Sequence, residues 1–477
     1  RGRKLGIRHL QVFLHFLGMV IGYSLRVSMS VAIVPMTQND SNSYQFEVYN
    51  WSSTESATIL SSFFWGYTIM QIPSGYIAAF WSAQKLLSFG LLLCGILNIL
   101  TPTLAHYGGY LAVCACRVGM GLSQSCLLPS IHTLLSKWAP PTERARLGTL
   151  AYAGAQFGTV ICFPISGLLA SSSAGWPSIF YVFGALAVIW GVVFFVFGSD
   201  SPSKHSRISE KERRYIENSL KSSEEDLSLK AMKTPWKAIF TSVPMWALII
   251  VHCGQNWGYW TLITELPTYM NDVLEYNLVD NGLMSALPYF TAWLFSFPIS
   301  FISDLLIKRN ILTVQASRKI CNTFGEWVPA IALIGLGYVD KEHSEIAVAI
   351  LVIAVTSNVA IYCGHNVNHM DLSPNFAGPL MGIINTVANI CSILAPLIVG
   401  VIVHDKISRI IHIVYTTNEK RNTLRELYLD IDETDVEEWR NVFFLTSLIY
   451  FVGNLIFIMF GTSKIQAWND PVKKDKD

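Results

Sequence analysis

The 477-residue chain is short of charge: Asp, Glu, Lys and Arg make up 14% of it, where a soluble domain carries roughly a quarter. So few ionised side chains cannot cover a water-facing surface of that size, which excludes a soluble globular fold. Its nine cysteines all fall in or beside long apolar runs. None sits in a segment expected outside a membrane, so no extracellular disulfide framework is implied. There is no P-loop, no metal-spaced His/Cys cluster and no G-x-S-x-G elbow. The chain is therefore not read as an enzyme, and neither a cofactor nor a metal is expected. Without a nucleotide fold, any pumping must draw on an ion gradient or the membrane potential. The net charge of +1 comes with scattered basic residues, not a stripe, so nucleic acid is not expected as a partner.

What the chain has in abundance is apolar length: 52% of its residues are hydrophobic. A helix needs roughly 20 apolar residues to cross the hydrocarbon core. That rule gives about twelve spans, near 10–36, 56–80, 86–105, 109–136, 147–170, 176–198, 243–268, 282–306, 320–338, 345–367, 379–402 and 441–461. Lipid offers no partner to a free backbone amide, so each span must be helical. The expected class is an all-α membrane protein. The segment Arg1 to Arg8 is basic and no small-residue cleavage site follows it, so the first apolar run is read as a span rather than a removable signal. Most of the 34 Lys and Arg fall on the side that holds both termini. Cytoplasmic N- and C-termini then satisfy the positive-inside rule. Two sequons, at Asn39 and Asn50, lie in the first outside loop and are candidate glycosylation sites.

The segment 200–242 is the one long hydrophilic stretch in the middle, and it leaves six spans on each side. It is read as a solvated cytoplasmic linker between an N-terminal half, 1–199, and a C-terminal half, 243–477. The alternative for Ile208 to Lys221 is a short amphipathic helix with pairs such as Glu210/Arg214. The halves look related. Glu55 opens the second span and Pro73 follows it near the cytoplasmic end; Asp280 and Pro298 stand at the same interval in the eighth. This supports a parallel duplication, with substrate expected near the midplane and access alternating by rocking.

A charge inside a span is costly and defaults to a functional role. Arg26 lies well inside the first span and shares a helical face with Tyr23 and Ser30. A guanidinium at that depth is a fixed anion receptor; the bland alternative is a structural pairing with a neighbouring helix. Arg117, Gln124 and His132 fall on roughly one face of the fourth span. Arg117 is a further substrate candidate or a structural lock, and His132 a coupling candidate or a packing histidine. Tyr152 and Gln156 in the fifth span, His252, Gln255, Asn256 and Tyr259 in the seventh, and Asn385 with Thr386 in the eleventh could complete an anion site or bind spans together. Glu326 is a second coupling candidate. Glu265 is expected near the outer end and solvated. Asp304, followed by Lys308 and Arg309, is expected to act in gating.

These residues carry a resemblance. Tyr23-Ser-Leu-Arg26-Val-Ser-Met-Ser, Ser62-Phe-Phe-Trp-Gly-Tyr67 with Gln71-Ile-Pro73, and Lys137-Trp-Ala-Pro-Pro-Thr-Glu-Arg144 stand in the first half. Tyr152-Ala-Gly-Ala-Gln156, Leu266-Pro-Thr-Tyr-Met270 and Asn368-His-Met-Asp371 follow. The chain resembles the anion transporter branch of the major facilitator superfamily, which includes sialin, the vesicular glutamate transporters and the type I sodium–phosphate cotransporters. The nearest pattern looks like sialin and the invertebrate proteins loosely called inorganic phosphate cotransporters. The resemblance implies twelve helices in two pseudo-symmetric halves, with Arg26 as the first-span arginine that holds the anion. It marks Arg117 and His132 as retained positions and Arg144 as part of a gate. Where sialin-like members carry fourth-span acids, this chain has Met120 and Gln124. The second-span histidine and seventh-span arginine of vesicular glutamate transporters are replaced by Leu60 and Gln255, which argues against a dedicated glutamate role.

The expected function is a monomeric secondary transporter of small organic or inorganic anions, in a plasma, lysosomal or vesicular membrane. Its expected partners are the anion, the lipid bilayer and a coupling ion, sodium or proton. With no titratable group at Met120 or Gln124, membrane potential or sodium is the expected driver. The alternatives are proton-coupled export of acidic sugars from an acidic organelle, and a non-transporting receptor that uses the outside loop 403–440.

Overall fold

The computed structural model describes residues 6–37, 46–140, 143–227, 234–339, 341–403 and 424–469. Asn39, residues 404–423 of the long loop and the side chain of Arg144 lie outside the described residues. No strand occurs among those described.

The first span is α1 (Ile7–Thr37), whose 31 residues reach about 45 Å at 1.5 Å per residue, more than the hydrocarbon core requires. It is followed by α2 (Ser53–Phe80), with Glu55 in its first turn and Pro73 inside. The long helix α3 (Ala83–Gln124) holds two spans, because the chain reverses at Gly109 (φ 60, ψ −160). A side chain there would be strained, so glycine is required. The third span starts earlier than expected, since the Ser82 hydroxyl caps it by accepting from the Lys85 amide at 3.1 Å. The fourth is interrupted at Ser125 and Cys126 and resumes as α4 (Leu127–Trp138). The fifth and sixth spans are α5 (Arg144–Ser171) and α6 (Pro177–Phe197).

After α6 the segment 200–242 is not simply solvated. It contains α7 (Glu210–Leu227) and the short α8 (Trp236–Phe240), so the amphipathic alternative is the one the chain adopts. Arg214 pairs with Glu210 at 2.9 Å, and Glu212 reaches back to the start of α1. There it accepts from the amides of Ile7 (3.0 Å) and Arg8 (3.2 Å) and from the Arg8 guanidinium (3.0 Å). A carboxylate on exposed helix-N-terminal amides is favourable. The same Arg8 pairs with Glu143 at 3.0 Å.

The later spans are α9 (Val243–Asp272), α10 (Leu278–Lys308) and α11 (Val314–Leu336), then α12 (Ser344–Asn358), α13 (His365–Leu372), α14 (Ala377–Ile402) and α15 (Leu424–Phe460). Among the described residues, eight segments are long and apolar enough to cross a membrane, one of them holding both the third and the fourth spans. The lengths of α2, α9 and α11 also suffice, although polar residues dilute them, and with these the count is twelve. The expected tenth span, 345–367, is a broken helix. It stops at Asn358, runs through a 3-10 stretch Val359–Cys363 and Gly364, and restarts at His365. Backbone groups freed at depth must be satisfied, and α11 supplies the partners. Asn322 Oδ1 accepts from the His365 amide at 3.2 Å, and Arg318 Nη1 donates to the Cys363 carbonyl at 3.1 Å.

The chain forms two compact units, one of Arg1–Glu47 with Ser62–Lys233, the other of Val48–Ser61 with Thr234–Asp477. Within the first, α5 packs along α1 and α6 along α3; within the second, α9 packs on α14 and α15, and α11 on α12 and α15.

Candidate functional site

In the first unit the site is built where α2 presses on the fourth span. A Cβ on Gly66 would lie 2.1 Å from the Val118 carbonyl, and one on Gly121 2.0 Å from the Phe63 carbonyl. The absence of side chains lets the two backbones approach and sets the Phe63 ring between two buried arginines. The Arg26 guanidinium carbon lies 5.0 Å from the Phe63 centroid and that of Arg117 5.2 Å. Tyr23 and Tyr67 complete the aromatic wall around Arg26, at 4.9 and 4.5 Å. Such faces stabilise a cation without neutralising it.

Gln124 orients Arg26. Its Oε1 accepts from Arg26 Nε at 3.2 Å and Nη2 at 3.0 Å, and its Nε2 donates to the Gly22 carbonyl at 2.8 Å. Arg117 is 3% exposed, and its Nε has no hydrogen-bond partner among the described residues. The thiols of Cys94, Cys114 and Cys116 lie around it. From Ser56 to Thr142 the sequence contains no Asp or Glu, and α1, α5 and α6 contain none either. The membrane helices of this unit therefore place two guanidinium groups at one ring and offer no carboxylate of their own. A dry cation with an unpartnered N–H, as at Arg117, is strongly disfavoured, so the arrangement suits an anion that comes and goes.

Other expected donors are placed differently. Ser30 Oγ is spent on the Val27 carbonyl at 2.7 Å. His132 lies beyond the interruption at Ser125 and Cys126, and its Nδ1 is hydrogen-bonded to the Tyr152 hydroxyl. The face drawn through Arg117, Gln124 and His132 is thus divided: the first two flank the arginine site, and His132 pairs with α5. Gln156 is one turn after Tyr152 and partly buried.

In the second unit the polar residues of α9 are engaged by neighbouring helices. Gln255 and Asn358 exchange amide hydrogen bonds of 2.7 and 2.9 Å, and Asn358 Nδ2 also reaches the Gly325 carbonyl at 2.7 Å. Asn256 donates to the His252 carbonyl at 3.2 Å, Asn385 is hydrogen-bonded to His252, and Thr386 back-bonds to the Gly382 carbonyl at 2.8 Å. Tyr259 lines a cavity of about 10 Å³ with Tyr289, Asn358 and Tyr450. Glu265 corrects the expectation of solvation: it is 6% exposed and accepts from the Thr264 hydroxyl at 3.3 Å. The reason is that α9 continues to Asp272 and keeps this turn inside the packing.

Glu326 is fully buried on α11, with Oε1 3.7 Å from Nδ1 of an equally buried His365 on α13. His365 Nδ1 is 2.7 Å from Asn322 Oδ1, and its Nε2 is 3.1 Å from His252 Nδ1. Asp304 is exposed, and no ion pair to it forms among the described residues. In this unit Asp371 does hold an arginine, pairing with Arg318 Nε at 2.8 Å. Sequence reasoning missed His365, Asn322 and Arg318. Their available signals were the His365-x-x-x-His369 spacing and the Asp371 motif already noted.

Comparison with known proteins sets this geometry in a family. The chain is 38% identical to a Drosophila melanogaster protein named "Putative inorganic phosphate cotransporter", over 98% of this chain and 87% of that one. It is 34% identical to human sialin, over 97% of this chain and 90% of sialin. A solved bacterial homolog of the human lysosomal transporter Spinster, inward-facing and occupied, shares the fold with a TM-score of 0.71 at 13% identity, covering 96% of this chain and 97% of that one. The Major Facilitator Superfamily model matches residues 13–396, and the chain belongs to that superfamily of membrane transporters.

Proposed function

We propose that this protein is a secondary transporter of small anions, of the phosphate or carboxylate type, working by alternating access as a monomer. The observation that carries the reading is the pair of buried arginines at Phe63, among helices α1 to α6 whose one Asp or Glu is Glu55 in the first turn of α2. Arg26 is the primary receptor, its guanidinium held in place by the neutral amide oxygen of Gln124. Arg117 adds positive potential behind it. The names of relatives, inorganic phosphate cotransporter and sialin, agree with an anionic cargo.

An anion crossing past fixed arginines feels the membrane potential, at about 2.3 kcal/mol per charge per 100 mV. The charge of the loops favours both termini in the cytoplasm, with 200–242 connecting the halves there and the exposed Asn50 outside. Asp304 and Arg144 remain gating proposals, and His132 with Tyr152 a local contact.

Purified protein in liposomes tests this reading. Uptake of phosphate, sialic acid, glutamate and urate-like anions is measured under imposed voltage, sodium and proton gradients. At least one anion should accumulate, and Arg26→Ala should abolish its uptake while the protein still inserts. Full uptake by Arg26→Ala ends the receptor assignment; no uptake of any anion under any gradient ends the reading.

A further inference from the structure

In the second unit, Glu326 is a carboxyl at membrane depth with 0% side-chain exposure. Neither of its oxygens has a hydrogen-bond partner among the described residues. The Asn322 amide lies alongside, but its Nδ2 donates to Asn454 Oδ1 at 2.9 Å. A bare carboxylate in such a place would cost several kcal/mol. The group must be neutral, or face a cation.

The groups that face it come from three helices. His365, with His369 one turn on, stands on α13; Tyr450 faces it from α15; His252 on α9 lies behind His365. Arg318, two turns earlier on the same helix, is engaged by Asp371. Among the described residues, the group close enough to share charge with Glu326 is His365, at 3.7 Å. Asn322 Oδ1 is an acceptor only, so the 2.7 Å contact fixes a proton on His365 Nδ1. That leaves Nε2 as the ring position that takes or gives a proton, and it faces His252 Nδ1 at 3.1 Å. The break in the tenth span produces this juxtaposition, because α13 begins at His365 and presents its N-terminal end to α11.

We propose that Glu326 and His365 form a proton-binding site in the C-terminal unit, and that this site couples anion transport to protons. Loaded, the pair holds one proton in either of two neutral arrangements. In one, the proton is on the Glu326 carboxyl and His365 is neutral. In the other, the carboxyl O–H is broken, an N–H is made at His365 Nε2, and imidazolium faces carboxylate. Unloading removes that proton to water and leaves a net negative pair, which is tolerated only when water reaches it. The cavity lined by Tyr259, Asn358 and Tyr450 has a volume of about 10 Å³, room for roughly one water molecule, beside the tyrosine that faces Glu326. Sodium fits the site poorly. The neighbouring amide oxygens, Asn322 Oδ1 and Asn454 Oδ1, already accept hydrogen bonds. The inference rests on the transporter reading above for its coupling role, and it replaces the sequence-based expectation of a sodium or voltage driver.

Two arms test it. In the first, the full chain in liposomes takes up phosphate, sialic acid or glutamate at clamped voltage without sodium. One pH unit should change accumulation by up to about tenfold per coupled proton. In Glu326→Gln the ratio of pH-driven to voltage-driven uptake should fall to the value without a pH step. A wild type indifferent to pH, or a Glu326→Gln variant as pH-responsive as the wild type, overturns the proposal. In the second arm, infrared difference spectra of the protein in nanodiscs follow the protonated carboxyl band as pH is raised. That band should titrate, vanish in Glu326→Gln and move in His365→Gln. A spectrum without a titrating Glu326 band overturns the site. This arm needs no substrate, so a titrating band in a protein that moves none of the anions sinks the transporter reading and not the proton site.

Discussion

The Arg26 guanidinium donates through two nitrogens to one amide oxygen of Gln124, while the nitrogen of that amide is tied to the Gly22 carbonyl on the same helix as Arg26. The amide cannot turn over without losing the Gly22 bond, so the oxygen stays aimed at the arginine. The fourth span thereby sets the pose of the Arg26 guanidinium through a neutral amide.

Replacing that amide with a carboxylate should convert a receptor into a closed ion pair. In Gln124→Glu the new acid would sit about 3 Å from a buried guanidinium, and the substrate anion would have to displace it. Uptake at neutral pH should fall at least tenfold, about 1.4 kcal/mol, and recover only when strong acid protonates the glutamate. Initial rates from pH 4 to pH 8 check this. Unchanged uptake at neutral pH means that Arg26 does not meet the anion.

Charge alone should not suffice at position 26. Lys keeps the cation but loses the fork that meets Gln124 through two nitrogens and the plane that lies against Tyr67 and Phe63. Losing one partner of a buried charge-assisted contact costs about 2–5 kcal/mol. Arg26→Lys should therefore raise the half-saturating anion concentration thirtyfold or more. Wild-type affinity in Arg26→Lys would show that the receptor acts as a point charge.

Much of this was legible in the sequence, and the limits have physical causes. The spans follow from apolar length, and Arg26 stands out because a charge at depth has few bland explanations. Periodicity relates neighbours three and four residues apart, so it placed Tyr23 beside Arg26. It could not bring Asn322 to His365, which are 43 residues apart and meet across a helix break. That break was hidden because 346–355 is an unbroken apolar run and 345–367 contains no proline, so Thr356-Ser357-Asn358 and Gly364 did not read as an interruption. Glu265 was misread because the end of α9 was placed a turn too early. Gln255 looked like a free donor because nothing local announces Asn358 as its partner.

The contact that seats Phe63 predicts a stability effect. In Gly121→Val the new Cβ would fall 2.0 Å from the Phe63 carbonyl and 2.7 Å from the Tyr67 amide, both rigid backbone. Overpacking of this kind costs about 1–3 kcal/mol or more. The thermal midpoint in detergent should drop by several degrees, with anion affinity weakened as α2 moves away. Gly148→Ala is the control, since nothing lies within 4 Å of its added Cβ. It should hold or slightly raise the midpoint, a stability gain of up to about 1 kcal/mol. Equal midpoints for Gly121→Val and the wild type would mean that the helices are not in close contact there.

The last prediction separates two uses of one arginine. Arg318 pairs with Asp371 through Nε at 2.8 Å and Nη2 at 3.4 Å, and its Nη1 caps the Cys363 carbonyl in the broken tenth span at 3.1 Å. Removing the side chain strands a partly buried carboxylate and a backbone carbonyl together. Removing only the negative charge strands neither, because Asn at position 371 still offers an oxygen. Arg318→Ala should therefore cost about 2–4 kcal/mol and Asp371→Asn roughly half as much or less. The double variant should fall short of the sum by about 0.5–3 kcal/mol, the coupling expected of residues in contact. Denaturation in detergent across the four proteins of the cycle measures these terms. The carbonyl cap adds a second signature. Arg318→Ala should speed hydrogen exchange at the amides of 359–365 more than Asp371→Asn does, because only the first change frees the backbone of the break. Identical exchange in the two variants would reduce Arg318 to a simple ion-pair partner.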